Sequence, residues 1–190
     1  TLKRLDDLVD ALSEKAEAYK NVPTMAFTHI QPAEITTIGY RLSQTLQDLL
    51  DDRKQLVFVK KNIRGKGMKG AVGTAASYKE LVAESSVSSI ELENMVMEEL
   101  GIKAYDAATQ IYSRKQDLRI IEALSSIACT LHKFSLDFRI LQSPPIGEFS
   151  EPFGKMQVGS SAMPFKRNPI NSEKIDSLSR IVENAYQSAW

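Results

Sequence analysis

The sequence predicts an all-α protein, a bundle of long helices, and three observations support this. Apolar residues recur at three- and four-residue spacing over long stretches, the pattern of an amphipathic helix. The alternation of apolar and polar residues that marks a half-buried strand is weak throughout. Prolines and glycines cluster in short segments between the periodic stretches, where they would separate one helix from the next. Long helices joined in this way usually pack as a bundle.

The first predicted helix occupies residues 1–20 and ends before Pro23. The segment that follows it has no helical period. A second helix is predicted to begin near Thr36 or Thr37 and to continue through Val57. The apolar stripe of the first helix consists of Leu2, Leu5, Leu8, Val9 and Leu12.

Residues 64–74, RGKGMKGAVGT, are predicted to form a loop, because four glycines would strongly destabilise a helix. The helical pattern returns over residues 78–100, and Gly101 is well suited to cap its end. A long core helix is predicted over residues 116–141, and Pro144 lies just beyond its end.

The last helix is predicted to start with Asn168 as N-cap and Pro169 as its first residue. No composition shift marks a domain boundary, so residues 1–190 are predicted to form one domain. The chain starts without methionine and stops within a helical pattern. We therefore expect the central helical part of a longer protein, without its flanking N- and C-terminal regions. The stripe of this helix consists of Ile170, Ile175, Leu178, Ile181, Val182 and Ala185.

The composition argues against several classes of protein. Lys+Arg and Asp+Glu both total 24, so the chain lacks the general basic field of a nucleic-acid-binding protein. Cys129 is the only cysteine, which excludes an internal disulfide and a thiolate metal cluster and favours a cytoplasmic setting. No apolar stretch has the length of a membrane span. No nucleic acid or membrane partner is expected.

Three connections could carry chemistry, because their side chains are not needed for packing. The first contains His29, whose imidazole could transfer protons near neutral pH, although a single loop histidine is more often simply solvated. The second is the glycine-rich segment 64–74. It lacks the Lys and Ser/Thr of a phosphate-binding loop, and no predicted strand precedes it, so a tight turn is the simpler interpretation.

The third connection, residues 159–169, contains two adjacent serines and two cations immediately before a helix. The positive end of that helix, with Lys166 and Arg167, could stabilise a carboxylate or an ionising hydroxyl. The segment therefore fits an anion-binding loop with a serine that could be activated, and its composition also fits a basic surface turn.

The sequence of this loop, GSSAMPFKRNP, resembles the signature GSSxMPxKxNP of the fumarase/aspartase superfamily at every fixed position. THIQPAEITTIGYR and KGAVGT resemble the other two conserved regions of that superfamily and occur in the same order. The resemblance covers essentially the whole chain. It implies an elongated helical bundle in which four subunits assemble around a central helical core.

Within the superfamily, Ala162 before Met-Pro, the Lys-Arg-Asn that follows and the stretch TQIYSRK resemble the adenylosuccinate lyase branch. Phe165 differs, since His or Tyr is usual there, and Lys174 stands where animal-like enzymes have an arginine that contacts the nucleotide. This branch implies elimination of fumarate from adenylosuccinate, giving AMP, and from the succinyl-carboxamide ribotide SAICAR, giving AICAR. A carboxymuconate cycloisomerase and a non-catalytic structural homologue are the alternatives.

The resemblance also implies roles for individual residues. Ser160 would be the base and His29 the general acid, with Ser161 as an alternative base. No metal or organic cofactor is implied. Each active site would combine loops from three subunits of a homotetramer, so this segment alone is expected to be inactive. The residues expected to contact or support the nucleotide substrate are Thr28, Gln110, Ser161, Met163, Lys166, Asn168 and Lys174.

Overall fold

The computed structural model describes residues 1–154, 156–163 and 165–189, and 56% of these residues are helical. This confirms the predicted all-α class. The chain divides into two compact units, one made of Thr1–Leu56 with Ile121–Trp190 and the other of Val57–Ile120. The helices are α1 (Leu2–Ala18), α2 (Ile38–Lys61), α3 (Ala76–Leu81), α4 (Ser89–Glu99), α5 (Lys115–Gln142) and α6 (Ile170–Ser188).

The first unit is built on α1, α2 and α5, whose apolar stripes form its core. Asp52 of α2 is 6% exposed and accepts hydrogen bonds from Ser126 Oγ at 2.5 Å and Thr130 Oγ1 at 2.7 Å, both on α5. Gly39 lets α2 begin against the end of α1, because a Cβ there would lie 2.2 Å from the Ala16 carbonyl oxygen. The buried apolar residues of this core are Leu5, Leu12, Leu42, Leu49, Leu56, Ala123, Ile127, Ala128 and Leu141.

An antiparallel hairpin lies between α1 and α2, made of β1 (Pro23–Thr28) and β2 (Gln31–Thr37). The sequence analysis found only an absence of helical period in this stretch. The strand signal is weak because the first five residues of β2 are exposed, so β2 carries no alternating apolar face.

The second unit contains α3, α4 and a two-residue parallel pairing between β3 (Arg64–Gly65) and β4 (Lys103–Ala104). The buried amide of Gln116 holds this pairing, accepting from Arg64 N at 2.7 Å and donating to Arg64 O at 3.1 Å. The single helix predicted over 78–100 is instead two helices. The break precedes Ser88, whose side chain caps α4 and forms a capping box with Glu91.

Helix α6 differs from the prediction at its start, and its apolar stripe faces a direction that the sequence did not indicate. It begins at Ile170 with Pro169 at the N-cap, so the predicted capping by Asn168 is wrong. The apolar stripe exists but faces outward: Leu178 is 62% exposed and Ile181 66%. The face of α6 that is buried is polar. It carries Asp176, which is 2% exposed and pairs with Arg139 of α5.

None of the helices in the described residues combines the length and apolar character needed to cross a membrane.

Candidate active site

His29 lies at the tip of the β1–β2 hairpin, where Thr28 pairs with Gln31 across a two-residue turn. Both turn residues have positive φ, 54° for His29 and 62° for Ile30, as a type I′ turn requires. That conformation is unfavourable for a β-branched side chain such as isoleucine. Thr28 and His29 are both exposed. The turn therefore presents the imidazole to solvent on a strained backbone.

The base of the hairpin is fixed by Glu148, in the connection after α5. Thr24 Oγ1 donates to Glu148 Oε1 at 2.6 Å, and Arg41 Nη1 donates to Glu148 Oε2. The second Nη of Arg41 donates to the carbonyl of Met25. The Arg41 and Glu148 side chains are only 18% and 20% exposed, so water screens this ion pair less than a surface pair.

Ser160 has the more distinctive environment of the two adjacent serines. Its Oγ accepts backbone N–H bonds from Ala162 at 3.3 Å and Met163 at 3.2 Å. Donors aimed at a hydroxyl oxygen stabilise its ionised form. Ser161 is exposed, and its hydroxyl makes no hydrogen bond within the described residues. The local geometry therefore distinguishes the two serines, which the sequence alone left open.

The loop that carries Ser160 folds back on itself. Asn168 Nδ2 donates to Gly159 O at 3.1 Å, and Lys166 N donates to Met163 O at 3.0 Å. Gly159 is required at this crossing, because a Cβ would lie 1.9 Å from the Lys166 carbonyl oxygen. The Arg167 guanidinium lies 5.3 Å from the centre of the Phe153 ring. Pro164 of the motif lies outside the described residues.

The start of α6 is occupied by Glu151 and is not free for Ser160 or for a bound anion. Glu151 Oε1 accepts from Ser172 N at 2.7 Å, and Oε2 accepts from Asn171 N at 3.1 Å. Burial alone would raise the pKa of Glu151, but the hydrogen bonds from Ser172 and Asn171 together lower it below its ordinary value. The N–H groups of Asn171 and Ser172 are therefore already bound by Glu151, and the backbone donors that face Ser160 Oγ come from the loop itself.

Sequence analysis missed Glu151 as part of the site. Its partners on α6 lie 20 and 21 residues further along the chain. A capping box is recognisable because its two residues are three apart. No short spacing rule reaches across 20 residues, so no local signal could have identified this contact.

Gln110 lies in the second unit, exposed in the connection between β4 and α5. The glycine-rich segment packs against the same connection, since a Cβ on Gly73 would lie 2.7 Å from the Ala108 carbonyl oxygen. Lys69 Nζ and Met68 N both donate to the Glu93 carboxylate at 2.7 Å, which holds the segment against α4. The glycine-rich segment and the connection that carries Gln110 thus meet in this unit.

The other predicted site residues lie in the first unit. The signature loop brings together Ser160, Ser161, Met163, Lys166 and Asn168, while Lys174 is exposed on α6. No hydrogen bond joins His29 to Ser160 in the part of the chain that the structure describes. Those same residues contain no group of three or more His, Cys, Asp or Glu placed to hold a metal ion.

Comparison with known sequences identifies relatives along nearly the whole chain. Adenylosuccinate lyase of Schistosoma mansoni is 42% identical over 181 residues, 94% of this chain and 37% of the relative. The enzyme of Saccharomyces cerevisiae is 38% identical over 99% of this chain and 39% of its own length. The enzyme of Pyrococcus horikoshii is 38% identical over 94% of this chain and 38% of its own length. The chain thus spans less than two fifths of these curated relatives.

Two solved structures share the fold. A 3-carboxy-cis,cis-muconate lactonizing enzyme from Pseudomonas putida superposes with a TM-score of 0.84 at 24% identity, over 98% of this chain and 40% of that one. A fumarate lyase from Mesorhizobium sp. BNC1 superposes with a TM-score of 0.80 at 22% identity, over 98% of this chain and 39% of that one. The sequence model of the lyase family matches residues 1–183. Its fold and its sequence agree, and the chain belongs to the lyase family.

Proposed function

We propose that the protein containing this chain is an adenylosuccinate lyase, which releases fumarate from adenylosuccinate and from the succinyl-carboxamide ribotide. The observation that carries the proposal is the Ser160 oxygen held by two loop amides within a complete GSSxMPxKxNP signature. The relatives named above, all adenylosuccinate lyases at 38–42% identity, support this choice of substrate. The single cysteine favours a cytoplasmic setting.

The proposed reaction starts with proton abstraction by ionised Ser160 from the carbon beside a succinyl carboxylate. The electron pair left behind is delocalised into that carboxylate, where fixed cations and N–H donors would stabilise it. The pair then forms the double bond of fumarate, and the C–N bond breaks. Its electrons pass to nitrogen, which receives a proton from His29 as general acid.

We assign the substrate contacts from the resemblance of the loop to the superfamily signature and from the exposure of its side chains. Lys166 is exposed in the same loop as Ser160, and we assign its ammonium group to a succinyl carboxylate. The Asn168 amide donates to Gly159 O and so helps to fix the loop. We assign to Asn168 a contact with a succinyl carboxylate as well. The remaining contacts are assigned to Thr28, Gln110, Ser161, Met163 and Lys174.

We further propose a homotetramer whose active sites combine residues from different subunits. The outward apolar face of α6 supports this, since Leu178 and Ile181 would be buried by another helix. Exposed Ile35, Val158 and Phe165 on the hairpin and loop, each at least 78% exposed, also fit surfaces that meet a second subunit.

The experiment is a matched pair of variants in the full-length protein, Ser160→Ala and Ser161→Ala. Loss of the base is expected to lower kcat for fumarate release by roughly 10²- to 10⁴-fold, as for other general bases. Ser161→Ala is expected to retain far more activity, because the Ser161 hydroxyl is not held by the loop amides. Steady-state fumarate release from adenylosuccinate measures both.

Carboxymuconate and argininosuccinate are assayed in parallel. A well-folded tetramer that turned over carboxymuconate but not adenylosuccinate would disprove the proposed substrate. Full activity in Ser160→Ala would disprove the proposed base.

A further inference from the structure

Two side chains close the ends of the Ser160 loop onto each other. Gln142, the last residue of α5, accepts from Glu151 N through Oε1 at 2.8 Å and donates through Nε2 to Arg167 O at 3.1 Å. Glu151 then reaches from the start of the loop to Asn171 and Ser172 at the start of α6. We call Glu151 and Gln142 the clasp.

The Glu151 carboxylate accepts four hydrogen bonds from Asn171 and Ser172. Besides the two backbone N–H groups, Ser172 Oγ donates to Oε1 at 2.8 Å and Asn171 Nδ2 donates to Oε2 at 3.1 Å. Ser172 is only 7% exposed, so its hydroxyl and N–H would be left buried without a partner if the carboxylate were removed. The negative charge also lies at the positive end of α6, which favours it there.

We propose that Glu151 is a positioning residue, which ties both ends of the Ser160 loop together so that the serine is presented in a fixed orientation. The described residues of the segment between the two ends, 152–169, contain no helix or strand. Among its described residues, hydrogen bonds such as Asn168 to Gly159 fold the loop back on itself. The clasp is therefore the main restraint on where the loop starts and ends.

This inference rests in part on the proposed function, because orientation matters only if Ser160 reacts. Small displacements of a reacting group lower rates steeply, by up to about 10²-fold for 1 Å. Substrate binding through the remaining loop contacts would change less. Loss of the clasp is therefore expected to affect kcat more than KM.

The test uses the full-length protein with Glu151→Ala, Glu151→Gln and the matched control Glu122→Gln, which removes an exposed carboxylate of α5. The first measurement is hydrogen exchange at the amides of Asn171 and Ser172 and in the loop. We expect Glu151→Ala to raise exchange there by about tenfold or more, the range for losing charged hydrogen bonds. Glu122→Gln should leave exchange unchanged.

The second measurement is fumarate release. Glu151→Ala is expected to lower kcat by about tenfold or more with a smaller change in KM. Glu151→Gln should lie between Glu151→Ala and the wild type, because its single amide oxygen can accept from Ser172 but not also from Asn171. If Glu151→Ala does not fold, Gln142→Met removes the other half of the clasp and is expected to show the same pattern.

The two measurements separate the possible failures. Unchanged exchange at residues 171 and 172 in a folded Glu151→Ala protein would reject the clasp. Faster exchange with unaltered kcat would reject the positioning role. A wild type that releases no fumarate would remove the proposed function, and the exchange experiment would still decide whether Glu151 anchors the loop.

Discussion

His29 and Ile30 occupy turn positions where asparagine and glycine are ordinarily preferred. Left-handed backbone is unfavourable for most L-residues by roughly 1–2 kcal/mol each. The Ile30 side chain is 69% exposed and gains little from burial. We therefore predict that Ile30→Gly raises the free energy of unfolding by about 1 kcal/mol, measured by urea denaturation.

The matched control for this change is Ile35→Gly on the neighbouring strand. Ile35 is 78% exposed and has no positive φ, so glycine relieves no strain there. It should instead lower stability by roughly 0.5–1 kcal/mol. Equal destabilisation by both substitutions would show that the turn is not strained.

Residues within the site differ in how far the sequence could specify them. Ser160 and Lys166 were found because eleven consecutive positions fit one signature. The different surroundings of Ser160 and Ser161 could not be predicted, since nothing in the sequence indicates which of two adjacent hydroxyls the amides face. The contacts of Glu151 could not be predicted from the sequence, because the whole loop separates Glu151 from its partners on α6.

At the scale of an element, α4 depends on its capping box. Ser88 Oγ accepts from Glu91 N at 3.2 Å, and Glu91 Oε2 accepts from Ser88 N at 2.7 Å. Ser88→Ala is predicted to lower stability by about 1 kcal/mol, measured by urea denaturation. Ser86→Ala, just before the helix, is the control and should have little effect, because Ser86 makes no hydrogen bond within the described residues.

The capping box also predicts a dependence on pH. The backbone N–H of Ser88, and then its side chain, lower the pKa of Glu91 in the folded protein. A lowered folded-state pKa means that the stabilisation is present above the unfolded-state pKa and is lost as pH falls through the folded one. The stability difference between the wild type and Glu91→Gln should therefore shrink in acid. A constant difference between about pH 7 and pH 3 would contradict this.

Elements with a sustained apolar period were predicted well. The expected starts and ends of α2 and α5 lie within a few residues of those observed, because their inward leucines repeat over several turns. The split between α3 and α4 was missed because residues 82–88, VAESSVS, contain no glycine or proline to mark a break. The hairpin was missed because β2 packs neither face against a core.

At the scale of the molecule, the outward apolar stripe of α6 can test the proposed tetramer. Periodicity located its apolar stripe but not the direction in which it faces, which depends on pairing of Asp176 with Arg139. We predict that Leu178→Glu with Ile181→Glu dissociates the proposed tetramer, because buried carboxylates without partners are strongly unfavourable. Light scattering after gel filtration of the full-length protein measures the mass. Asn184→Glu, a polar and exposed position of α6 off the stripe, is the control and should leave the mass unchanged.

Asp52 of α2 fixes how far α2 and α5 are shifted along each other. Its carboxylate is satisfied by hydroxyls from consecutive turns of α5, at Ser126 and Thr130. Sliding α5 by one turn, about 5.4 Å, would move one hydroxyl away and bring Glu122 or Phe134, four residues along, towards its place. Leucine-rich surfaces alone would tolerate several such offsets. One buried charge thus leaves these helices a single satisfied alignment, and the sequence specifies it with three polar side chains.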